Sequence, residues 1–174
     1  MLQIPGMIRE RRSVRAFTDR EVSEKEAELL VEAACWAPSA GNRQPWEFVI
    51  VRDNENKRRL AEAAHGQYFI AEAPIVFVVC ADPGRSASRY GRRGTELYCL
   101  QDTAAAVQNL LLTAEANGLG SCWIGAFNEA RAAEVVGAPR GVRPVAMVPV
   151  GYPAESPSPR PRRRLSEVIH KERF

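Results

Sequence analysis

The chain has 174 residues, a formal net charge of +3 and a charged fraction of 26%, which suits a single globular domain over residues 1–174. That balance is too mild for a nucleic-acid-binding surface, and no stretch reaches the ~20 apolar residues of a membrane span. Cys35, Cys80, Cys99 and Cys122 stand apart from one another and from His65 and His170, which excludes zinc-site spacing and fits reduced thiols in a cytoplasmic protein.

The opening MLQIPGMIRERR carries no apolar run of signal-peptide length. Residues Met7 to Arg12 read as a short helix running into Arg11-Arg12-Ser13-Val14-Arg15-Ala16-Phe17. Arginine offers a planar fork of donors matched to phosphate or carboxylate, so this run either gathers an anion or forms a solvated basic face. Ser23 and Glu26 form a capping box before a helix with the stripe Ala27, Leu30, Val31 and Ala34, which Pro38 stops. Next comes Pro38-Ser39-Ala40-Gly41-Asn42-Arg43-Gln44-Pro45-Trp46. Its amide side chains suit the edge of a heteroaromatic ring, or it is an ordinary turn before the strand Glu47 to Val51.

Asp53 or Asn54 caps a helix through Ala64, and the unbroken apolar run Ile75 to Ala81 is a strand buried on both faces. Asp82 to Thr95 breaks the pattern with Pro83, Gly84, Gly91, Gly94 and four arginines. A connection of that length is a lid or binding loop, or is simply solvated. Gln101 to Asn117 is a helix apolar around most of its circumference. It runs through the core or packs one face on a second copy. The glycine-rich turn Gly118 to Gly125 follows as part of a site. Asn128 caps a short helix through Val136, and Val142 to Val150 is a strand in which Pro149 marks an edge or bulge. The tail, Gly151 to Phe174, is an extended arm whose Leu165, Val168 and Ile169 need a docking surface.

The stretches RRSVRAF (11–17), PSAGNRQPW (38–46), GLGSCWIGAF (118–127) and VGYPAE with PRRRL (150–155, 161–165) resemble, in order, the FMN-dependent nitroreductase family. The resemblance implies an α+β fold with a mixed central sheet flanked by helices, in an interlocked homodimer with FMN at the subunit interface. It implies that Arg11, Arg12, Ser13 and Arg15 hold the phosphate, ribityl chain and pyrimidine edge. Pro38, Ser39, Asn42 and Gln44 would contact the flavin, partly from the other subunit. Ile124 and Gly125 would place backbone N–H groups near flavin N5 and O4, and Arg162 and Arg164 would reach the phosphate from the tail. The implied activity is a ping-pong reduction of nitro, quinone or related electron-poor acceptors, with NAD(P)H as hydride donor. The chemistry belongs to the cofactor, which agrees with the absence of a nucleophile–base pair or carboxylate dyad in the sequence, and no metal is implied. The same motifs suit two other outcomes: a relative performing reductive dehalogenation or flavin breakdown, and an anion-binding dimer without catalysis.

Overall fold

The structure, a computed structural model, describes residues 3–174. A short helix α1 (Gly6–Glu10) leads to α2 (Glu24–Cys35), opened by the expected capping box: the Ser23 hydroxyl accepts from the Glu26 N–H while the Glu26 carboxylate accepts from the Ser23 N–H. A 3-10 turn (Ala40–Asn42) precedes strand β1 (Trp46–Val51). Asp53 caps α3 (Asn54–Ala63), and α4 (Phe69–Glu72) delivers the chain to β2 (Ile75–Ala81), buried at every position. Then come α5 (Pro83–Arg93), a π-helical turn (Gly94–Tyr98) and the long α6 (Cys99–Ala116). Strand β3 is only Gly120–Ser121. Helix α7 (Glu129–Val136), capped by Asn128 as expected, precedes β4 (Arg143–Gly151). One 3-10 turn (Leu165–Glu167) interrupts the tail.

The sheet order is β1-β2-β4-β3, every neighbouring pair antiparallel. Its mixed character comes from Ser13, which bridges Ser121 in parallel beyond β3. Alternation along β2 separates two apolar layers. Ile75, Phe77 and Val79 pack against α2 and α6, whereas Val76, Val78 and Cys80 pack against α3, α4 and α7. The result is an α+β sandwich with helices on both faces.

Pro149 sits inside this sheet, between β2 and β3, rather than at an outer edge. It is tolerated because its missing N–H faces the β3 side. There Cys122 donates to the Pro149 carbonyl and receives nothing back, so β3 ends at Ser121 and pairing resumes only at Ile124 with Met147. The register shift lies elsewhere, between Val79 and Cys80.

Two further expectations change. The stretch from Asp82 to Thr95 is not an irregular loop. Asp82 caps it by accepting from the Gly84 N–H, Pro83 occupies the first turn, and the helix runs to a break at Gly91 (φ 51°). It lacks an apolar stripe because it packs through small residues: a Cβ on Gly94 would lie 2.6 Å from the Ser86 carbonyl oxygen. The apolar end of the tail, in turn, finds no dock on its own chain. Leu165 and Ile169 are 72% and 55% exposed.

Helix α6 buries Asp102, Thr103, Ala106, Val107, Leu110, Leu111 and Ala114. Gln101 and Gln108 are exposed and Ala104, Ala105 and Leu112 only half-buried, so one face of the helix is open.

Candidate functional site

Three of the motif stretches converge at one seam. Val14 N–H donates to the Ser121 carbonyl (3.0 Å), Thr18 N–H to Tyr152 (2.8 Å), and Ala154 N–H to Ala16 (2.9 Å). The Glu155 carboxylate accepts from the N–H groups of Arg15 and Ala16. Gly120 makes the close approach available, since a Cβ there would lie 2.8 Å from a Val14 methyl.

Beside this seam lies a cleft of about 610 Å³ lined by Arg11, Arg12, Ser13 and Arg15 on one side and residues 157–162 on the other, Arg162 among them. Their roles differ. One Arg12 nitrogen donates to the Arg9, Glu10 and Arg11 carbonyls (2.6, 2.9 and 2.9 Å), closing the end of α1. One Arg162 nitrogen is turned onto the Arg160 and Pro161 carbonyls. Among the described residues, no carboxylate pairs with Arg11 or Arg15, and the Arg15 guanidinium lies 5.8 Å from the Phe69 ring centre. Cys122 is close by: burial pushes its thiol up, against the pull of Arg15, Ser13 and Arg11. Arg164 does not line the cleft and donates to Glu167 (3.1 Å).

The amide-bearing stretch is elsewhere. Pro38 and Ser39 line a hollow with Tyr98, Gln101, Asp102 and Ala105, on the open face of α6. Asn42 and Gln44 line another with Glu32, Cys35 and Trp36, and neither hollow shares a residue with the arginine cleft. Gly41, Asn42 and Gln44 all have left-handed φ (55°, 54° and 50°). The turn is tied internally, with Gln44 N–H donating to the Ser39 hydroxyl (3.0 Å) and the Gln44 amide to Asn42 Oδ1 (3.2 Å). On one chain, therefore, the amide-bearing turn and the arginine cleft lie apart. Ile124 is buried and doubly bonded to Met147, whereas Gly125 is exposed. A Cβ on Gly125 would meet only Trp123 Nε1, at 4.0 Å, so the chain's own packing does not require glycine there.

Sequence reasoning missed Asp102, whose carboxylate oxygens both accept from the Ala40 N–H at 3.1 Å, and Glu155. Asp102 had a signal, as a lone acid in an apolar helix. Glu155 had none, because its partners lie 139 and 140 residues away. Among the described residues, no group of three or more His, Cys, Asp or Glu is placed to hold a metal, and no helix is long and apolar enough to cross a membrane.

What this geometry defines is an α+β sandwich whose seam carries a cleft suited to an anionic group. Comparison with known proteins makes the assignment specific: the chain belongs to the nitroreductase family, which it matches over residues 8–71 and 64–152. It is 39% identical to a protein of Archaeoglobus fulgidus, provisionally named NADH dehydrogenase/NAD(P)H nitroreductase, over 86% of this chain and 84% of that one. It is 32% identical to an FMN reductase (NADPH) of Bacillus subtilis, over 94% and 71% of the two chains. Among solved structures, the NADPH:FMN oxidoreductase of Vibrio harveyi, complexed with NAD+, superposes with a TM-score of 0.88 at 27% identity, covering 97% of this chain and 76% of that one.

Proposed function

We propose that the protein is an FMN-dependent oxidoreductase that draws on NAD(P)H and reduces small electron-poor acceptors such as nitro compounds, quinones or flavins, the two substrates taking turns at one site. The observation that carries the reading is the arginine cleft. Arg11 and Arg15 line it and pair with no carboxylate among the described residues, Ser13 adds a hydroxyl, and Glu155 at the adjoining seam is occupied by backbone N–H groups. This donor set fits a phosphate dianion. Open space above Gly125 leaves room for a flat ring against the backbone.

Bound FMN would supply reversible hydride chemistry, and the chain would bind, orient and shield it. In that division of labour, Arg11, Arg15 and Ser13 hold the phosphate end, with Arg12 stiffening the turn that carries them. Arg162 reaches the same cleft from the tail, whereas Arg164 is left to its pairing with Glu167. The Ile124 N–H, expected at the ring edge, is committed to the Met147 carbonyl, so the Gly125 backbone is left to meet that edge, and Ser39, Asn42 and Gln44 offer hydroxyl and amide contacts.

The reading includes a homodimer. Two half-sites that do not meet within one chain would meet across a two-fold axis. The open face of α6, the 81% exposed Trp36 and the undocked apolar tail supply the surface. A cytoplasmic location belongs to the same reading, supported by four free cysteines. The test is purification followed by flavin spectroscopy and a turnover screen with NADH and NADPH. A yellow protein that reduces a nitroaromatic or quinone is expected. Colourless protein that FMN cannot reconstitute overturns the reading, and bound flavin without any turnover leaves a binding dimer in its place.

A further inference from the structure

The turn that carries Ser39, Asn42 and Gln44 is held in an unfavourable shape. Gly41, Asn42 and Gln44 have left-handed φ; glycine and asparagine take up that region readily, but the Gln44 side chain resists it. Such a turn persists only when its surroundings over-determine it. Two ties come from helices distant in sequence. Arg85 Nε, on α5, donates to the Arg43 carbonyl (3.1 Å). On the other side, the Ala40 N–H donates to both oxygens of Asp102 in the first turns of α6, at 3.1 Å each.

Asp102 is 8% exposed, and among the described residues no lysine, arginine or histidine pairs with it. A buried carboxylate without a cation is costly, so its presence in an otherwise apolar helix calls for a compensating role. Burial pushes its pKa above the ordinary aspartate range, and the Ala40 N–H pulls against that. The hollow it lines also holds Pro38 and Ser39.

We propose that Asp102 is a positioning residue for cofactor capture: by clamping the Ala40 N–H it holds the strained turn 39–44 in its binding shape before any ligand arrives. This rests on the flavin reading for its purpose, but not for the clamp itself. Pre-organisation of this kind raises affinity by removing an ordering cost from the binding step.

The test compares Asp102→Ala with Asp102→Asn, in which an isosteric oxygen can still accept from Ala40. Amide hydrogen exchange of the unliganded protein is read over residues 39–44 and over β2, and FMN affinity by fluorescence titration. Loss of a charge-assisted hydrogen bond predicts that Asp102→Ala speeds exchange in 39–44 and weakens FMN, each by roughly tenfold or more. Protection of β2 should be unchanged, and Asp102→Asn should recover most of both effects. Unchanged exchange in 39–44, equal loss of protection in β2, or an Asp102→Asn variant as impaired as Asp102→Ala overturns the proposal. Failure of the wild-type protein to bind FMN defeats the flavin reading instead, and the exchange comparison still decides the clamp.

Discussion

Glu26 shows how one side chain can serve two distant parts of the chain. It closes the capping box with Ser23 and accepts from the Tyr152 hydroxyl, while Arg20 lies 3.6 Å from the Tyr152 ring centre. The Ser23 hydroxyl first, then that of Tyr152, hold its carboxyl below the ordinary glutamate value of 4.5. A depressed carboxylate contributes stability above its unfolded value and loses it as pH falls through the folded value. Glu26→Ala should therefore cost about 1 kcal/mol at neutral pH, as loss of a cap does. The gap from wild type should begin to narrow only below pH 4.5, on the way to the lowered folded value, and urea unfolding at pH 7 and along an acid series below pH 4.5 would check both. At the cleft, Arg11 and Arg164 now part company. Arg11→Ala should weaken FMN by roughly tenfold or more. Arg164→Ala should have little effect, because that side chain is spent on an exposed pair with Glu167. Fluorescence titration of both variants measures the contrast. The RRS run allowed an anion site or a solvated basic face, because arginine forks suit either, and which arginine is free of carbonyl partners depends on the folded α1.

Among the elements, α6 was legible almost to its ends, expected at Gln101–Asn117 and found at Cys99–Ala116. Its composition could not say which side faces the sheet, because alanine serves a core and an interface equally well. The structure separates them, and two variants become distinguishable. Leu111 is 2% exposed within the main apolar layer, so Leu111→Glu buries an unpaired charge at a cost of several kcal/mol and should unfold or aggregate. Ala105 lies half-buried on the open face, so Ala105→Glu should fold but sediment as a monomer and lose FMN. A folded, flavin-bound dimer of Ala105→Glu would place the interface elsewhere. Helix α5 was missed, as was the single turn of α4. The cap and the proline of α5 stood in the sequence, but the periodicity that marks a helix comes from apolar side chains, and α5 packs with serine and glycine. Of its arginines, Arg92 pairs with Glu96 and Arg93 with the Tyr98 hydroxyl. Arg89 instead lies against the Gly41 turn, where a Cβ on Gly41 would sit 3.3 Å from its Cδ. Any influence of this helix on substrate choice would therefore fall first to Arg89.

At the scale of the whole molecule, the two ends of the chain matter more than the middle. The sandwich is built from residues 24–151, while the cleft is made by the segments just outside it, 11–18 and 152–162. The seam between them has a consequence for the order of folding. Glu155 reaches Arg15 and Ala16 across 140 and 139 residues. Closing a longer loop costs about 0.6 kcal/mol for each doubling of its length, and nothing repays this until the layers beneath are in place. The sandwich should therefore condense first and the straps zip down last. In pulse-labelled refolding, the amides of Val14, Ala16, Thr18 and Ala154 should gain protection after those of β2, and simultaneous protection would refute this order. The same ranking holds in the native state, where segments with few buried apolar contacts open at the smallest free-energy cost. The straps can then part while both apolar layers stay closed, and a phosphorylated ligand that binds between them acts as the last stitch, joining the first and final tenths of the chain.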